Sequence, residues 1–89
     1  MDKLTALDIV KHPLATEKAI KLIESENKLI FIVDKKVNKK EIKEALEALY
    51  NAKIVKVNTL VTPEAKKKVY VKLHKDTPAM DIATELGLM

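Results

Sequence analysis

Apolar residues recur along this chain with two different periods, and the element changes where the period changes. From residue 66 the order is Lys66-Lys67-Lys68-Val69-Tyr70-Val71-Lys72-Leu73. Successive side chains of a strand take opposite faces, so Val69, Val71 and Leu73 point one way and Lys68, Tyr70 and Lys72 the other. The run Val55-Lys56-Val57-Asn58-Thr59-Leu60-Val61 stands a few residues earlier. A strand over 52–62, a turn at 63–66 and a returning strand over 67–74 therefore read as an antiparallel hairpin. Residues 28–33, Lys-Leu-Ile-Phe-Ile-Val, are apolar on both faces. That is the pattern of a central strand covered on both sides.

Helical spacing governs the rest. Pro13 biases His12 toward extended backbone. Thr16 then offers an N-cap and Glu17 suits the first turn's dipole, with Ala19, Ile20 and Ile23 as the apolar stripe through about Ser25. Asn38 with Glu41 has the spacing of a capping box. Ile42, Ala45, Leu46, Leu49 and Tyr50 follow as its buried face, with Lys39, Lys40, Lys43, Glu44 and Glu47 outside. Pro78 starts a last helix with Met80, Ile82, Ala83 and Leu86 inward, and Gly87 ends it. Residues 4–10 fit either a short helical turn or an irregular lead-in to an edge strand. These elements predict an α+β fold: a compact α/β sandwich on a mainly antiparallel sheet of three to four strands, with about three helices. Residues 1–89 are expected to form one domain.

Charge changes that picture from a fold to a surface. The chain has 89 residues, is 47% hydrophobic and 34% charged, and carries a net charge of +4. Residues 52–75 hold seven Lys against one acid, whereas residues 76–89 hold three acids and no Lys. The excess is local, as in a polyanion-binding face; a lysine-rich, heat-stable surface is the plainer alternative. All seventeen basic residues are Lys. Lysine meets phosphate as a point charge, while the bidentate fork that reads base edges belongs to arginine. Backbone and shape recognition is expected, with Lys68, Tyr70 and Lys72 presenting ammonium groups around a ring. Tyr70 reads either as an aromatic that stacks on a base or donates to phosphate, or as a sheet-surface ring packed under a helix.

Other chemistries lose their footing. There is no cysteine for disulfides or thiolate metal sites, and no apolar run near twenty residues for a membrane span. Neither a signal peptide nor membrane insertion is expected. His12 and His74 lack ligand spacing, one Gly forbids a phosphate-cradling loop, and Ser25 has no base placed beside it. The expectation is a non-enzyme without cofactor or metal.

Five segments, in order, resemble one family, the universal large-subunit ribosomal protein numbered twenty-three. Pro13-Leu14-Ala15-Thr16-Glu17-Lys18-Ala19 is similar to that family's opening motif, and Asn27-Lys28-Leu29-Ile30-Phe31-Ile32-Val33 to its first long strand. Lys39-Lys40-Glu41-Ile42-Lys43-Glu44-Ala45 resembles its charged helix, Val57-Asn58-Thr59-Leu60 the segment before its hairpin loop, and Lys67-Lys68-Val69-Tyr70-Val71-Lys72-Leu73 the strand after it. The short turn at Pro63 to Lys66 is similar to the archaeal form, not to the bacterial form with its long basic loop; Ala65 stands where that form often has Gly.

The resemblance implies a cytoplasmic, ribosome-bound protein that binds large-subunit rRNA at the exit of the nascent-chain tunnel. It implies the universal large-subunit protein numbered twenty-nine as a neighbour, and signal recognition particle and the translocon as factors met at the rim. Lys53, Lys56, Lys66, Lys67, Lys68 and Lys72 are the phosphate candidates, with Asn58 and Thr59 as donors to ribose or phosphate. Lys11, His12, Thr16 and Lys18 form a second group at the opening motif, where the leading reading of Thr16 is a plain N-cap. Glu17 matches a factor-docking position of bacterial members and reads otherwise as a dipole partner. Two other classes compete: a free protein-interaction module with a basic sheet edge, and a regulatory single-stranded RNA binder. One Phe and two Tyr make a poor stacking platform for the last.

Overall fold

The computed structural model describes residues 2–10, 12–64 and 66–87. Seven elements follow in order: α1 (Lys3–Val10), α2 (Glu17–Glu26), β1 (Lys28–Asp34), α3 (Lys39–Tyr50), β2 (Ile54–Val61), β3 (Lys66–Leu73) and α4 (Ala79–Glu85). The three strands form one antiparallel sheet in the order β1-β3-β2. The α+β fold expected from the pattern is the fold observed.

Three details of the expectation change. The lead-in at residues 4–10 is a full helix, so the described residues contain four helices. Asp2 caps it, accepting from the Thr5 N–H at 2.9 Å, and that bond holds the Asp2 carboxyl below its ordinary pKa. Ala6, Ile9 and Val10 of α1 then join the core. Second, β1 is not the central strand; β3 is. β1 is apolar on both faces because both faces are covered: Leu29, Ile30, Phe31 and Val33 are all buried. Third, Met80 on α4 faces out, at 38% exposure, and Ala79 takes the inward position beside Ile82 and Ala83.

The helix ends follow local chemistry. Thr16 caps α2 by accepting from Ala19 N–H. Asn38 and Glu41 complete the expected capping box on α3. Asn27 and Asn51 end α2 and α3 in the left-handed region, where Asn is better tolerated than most side chains, and Gly87 follows α4 at φ +80°.

One face of the sheet builds the main core. Leu29, Phe31 and Val33 of β1 and Val69, Val71 and Leu73 of β3 meet Ile42, Ala45 and Leu46 of α3 and the buried side of α1 and α4. Ala19 of α2 and Ile30 are buried outside that cluster, where α2 packs on β1.

Candidate nucleic-acid interface

The register of the sheet decides which lysines share a face. Lys28, Lys72 and Lys56 pair across the three strands in one row. Ile30, Tyr70 and Asn58 form the next row, then Ile32, Lys68 and Leu60, then Asp34 and Lys66. All of these side chains point away from the main core, because their cross-strand partners alternate with the buried set. Four β2–β3 lysines, Lys56, Lys66, Lys68 and Lys72, therefore stand on one face with Asn58 and Tyr70 among them. The Lys68 ammonium lies 5.8 Å from the centre of the Tyr70 ring. Tyr70 is half-buried, its ring flanked by Lys68 and Lys72 two residues away on either side.

Within these rows, negative charge enters only at the β1 side. Glu26 pairs with Lys28 at 3.3 Å, and Asp34 lies opposite Lys66 in register while its carboxylate accepts from Lys36 N–H. The β2–β3 half of the face keeps its positive charge.

Two of the expected contact residues lie on the other face. Thr59 pairs with Val69 and Lys67 with Val33 and Val61, so both share the apolar side. The Lys67 ammonium donates to the Val37 carbonyl at 2.7 Å, tying β3 to the turn before α3. Lys53 precedes β2, donates its N–H to the Thr77 hydroxyl and pairs with Asp76 at 3.8 Å. His74 lies beside the same Asp76 at 3.5 Å.

The opening-motif residues gather beyond β1, at the opposite edge of the sheet from β2. His12 gives its carbonyl to Ile32 N–H and Leu14 donates to the Ile30 carbonyl. Thr16 is committed to its cap. Glu17 and Lys18 are exposed on the first turn of α2, and Glu17 pairs with Lys21 at 3.6 Å. Lys11 and Ala65 lie outside the described residues. Among the described residues no group of three or more metal-ligating side chains gathers.

Two residues escaped the sequence reading. Lys28 completes the first lysine row, a placement that needs strand order and register. Asn27 makes a structural lock. Its amide donates to the carbonyls of Leu73 (3.2 Å), His74 (3.0 Å) and Thr77 (3.1 Å), while its side-chain oxygen accepts from Ala79 N–H. The end of α2, the end of β3 and the start of α4 are thereby joined. The local signal was an Asn at a helix C-terminus; the partners come from 46 to 52 residues away.

Fold and surface together define a class: a small α+β protein presenting a lysine-lined sheet face, a surface whose charge suits a polyanion. The family model of ribosomal protein L23 matches residues 8–81, and the chain belongs to that family. It is 51% identical over 88 residues to large ribosomal subunit protein uL23B of Caenorhabditis elegans, a match that takes 99% of this chain and 60% of that protein. It is 45% identical over 85 residues to large ribosomal subunit protein uL23 of Methanococcus vannielii, taking 96% of this chain and 99% of that protein. The chain thus spans about three fifths of the worm relative and nearly all of the archaeal one.

Proposed function

We propose that this protein is a structural constituent of the large ribosomal subunit, seated on large-subunit rRNA in the cytoplasm at the rim of the polypeptide exit tunnel. Membership of the L23 family supports a role in translation without catalysis. The observation that carries the RNA-binding reading is the shared face of Lys56, Lys66, Lys68 and Lys72 around Asn58 and Tyr70. Ammonium groups there displace counterions from phosphates, the Asn58 amide and Tyr70 hydroxyl donate to ribose or phosphate, and no arginine fork reads bases. Lys28 extends the row of Lys72 and Lys56, and Lys53 stands just before β2, beside Asp76. Thr59 and Lys67 act in the fold.

The opening-motif group is a second contact area. Lys18 and His12 are exposed there, with Lys11 in the same stretch. Glu17 is an exposed anion on an otherwise basic assembly, a fitting mark for a docking factor. The neighbours proposed on the family's pattern are the universal large-subunit protein numbered twenty-nine on the subunit, and signal recognition particle and the translocon at the exit.

The test is binding to a large-subunit rRNA fragment and to mixed RNA across a salt series. Saturable preference for the fragment is expected. Replacing Lys66, Lys68 and Lys72 with Ala together should reduce the log–log salt slope by about one for each phosphate left unneutralised. Equal, weak binding to both RNAs would overturn the reading in favour of a free interaction module.

A further inference from the structure

The two outer edges of the sheet are finished differently. Thr62 N–H donates to the Lys66 carbonyl at 2.8 Å, which fixes the phase of the β2–β3 ladder. In an antiparallel pair, hydrogen-bonded residues alternate with residues whose backbone groups point away. With the register of the hairpin, Leu60, Asn58 and Lys56 bond to Lys68, Tyr70 and Lys72. The N–H and C=O groups of Val57, Thr59 and Val61 therefore point outward from the sheet. The phase at the far side is fixed in the same way by Leu73 N–H, which donates to the Asn27 carbonyl at 3.1 Å. There, the outward groups of Ile30 and Ile32 are met by Leu14 N–H and the His12 carbonyl, at 2.8 and 2.9 Å. Beside β2 no strand of the described residues lies.

The side chains around this open edge are unusual for one left bare. Natural edges are blunted by proline, short length, bulges or charged side chains, lysine above all. β2 has a bulge between Ile54 and Lys56 and the charge of Lys56 near its start, but from Val57 to Val61 it carries no proline, charge or bulge. Val55, Leu60 and Val61 are 59%, 57% and 62% exposed. Lys56 stands on the same strand, and the segment around it carries seven Lys against one acid over residues 52–75. A second copy of the chain would bring two such segments together, which like charge opposes. An RNA strand offers no ladder of alternating amides and no match for exposed valines. An extended polypeptide offers both.

We propose that the outer edge of β2 is a docking site for an extended, acidic-apolar segment of another protein, which adds to the sheet as a fourth strand. Its backbone pairs with Val57, Thr59 and Val61. Apolar side chains cover Val61 and Leu60, and carboxylates face Lys56. The site goes beyond the rRNA reading: its backbone groups lie along the outer edge of β2, and it shares Lys56 and Leu60 with the lysine face.

The test uses the full chain, isotopically labelled and free of RNA, with the acetylated peptide Glu-Val-Glu-Val-Thr-Val-Glu as the probe. With peptide at about ten times its Kd, amide exchange at Val57, Thr59 and Val61 is expected to slow about tenfold. A counterpart with Lys in place of each Glu should bind more weakly. Thr59→Pro removes an outward N–H while leaving the bonds to β3, a position where proline is tolerated, and should abolish the protection. Val61→Pro serves the same end should Thr59→Pro not fold. Three results would overturn the proposal: no protection at those amides, protection that survives the proline variants, or protection that rises with protein concentration in the absence of peptide, which marks a second copy instead.

Discussion

β1 and β2 flank the same central strand in the same antiparallel sense, yet one is a sealed wall and the other a surface. Every residue from Leu29 to Phe31 is buried, and the free edge of β1 is closed by the chain at His12 and Leu14. β2 contains no fully buried residue. The difference shows how each strand is built: β1 is packed for stability, and the β2–β3 side holds the proposed contact surface. Truncation separates them most sharply. Phe31→Ala empties a fully buried ring site and should cost about 4 kcal/mol. Val61→Ala, on the open strand, should cost under about 0.5 kcal/mol. Urea midpoints followed by circular dichroism measure both; comparable losses at the two positions would erase the distinction.

The next test concerns how the sealed side is held. Asn27 and Asn51 occupy equivalent places, each ending a helix with φ near +50°. Only Asn27 gathers four distant backbone groups. Glycine relieves the backbone at either site, so substitution isolates the side chain. Asn51→Gly should leave stability within about 0.5 kcal/mol. Asn27→Gly loses the lock, leaves part-buried carbonyls without donors and should cost about 2–3 kcal/mol. Equal unfolding midpoints for the two variants would show the lock to be idle.

Much of this was legible in the residues, and the failures have physical causes. The hairpin was readable because period-two alternation at Val69, Val71 and Leu73 is a direct consequence of strand geometry. The α3 start was readable because Asn38 and Glu41 act within one turn. The position of β1 was misread because apolarity on both faces reports coverage, not place in the sheet. α1 stayed ambiguous because Leu4 and Leu7 are exposed, at 80% and 51%, and blur the amphipathic stripe. On the proposed interface, the alternation put Lys68, Tyr70 and Lys72 on one face, as the strand register does. The same parity puts Lys67 on the apolar side, and grouping it with its neighbours followed local charge instead of strand geometry. Lys28 and Asn27 take their roles from residues more than forty positions away, which local patterns do not report.

The smallest effect is also the finest cut between core and contact, because it compares adjacent lysines. Lys67 and Lys68 point to opposite sides of β3. The stem of Lys67 lies in the row of Val33 and Val61, and its ammonium reaches the Val37 carbonyl. That is a long side chain laying its methylenes along apolar surface and ending on a polar partner. Methionine keeps the stem and removes the charge. Lys67→Met should cost about 1 kcal/mol from the broken hydrogen bond and leave the salt slope of RNA binding unchanged. Lys68→Met should do the reverse: stability unchanged and the slope reduced by about one. Urea midpoints and the salt series, run on both variants, give four numbers with opposite expectations along the diagonal. A lower slope for Lys67→Met would mean that its ammonium leaves Val37 to meet RNA, and the boundary between the two faces would have to be redrawn through β3.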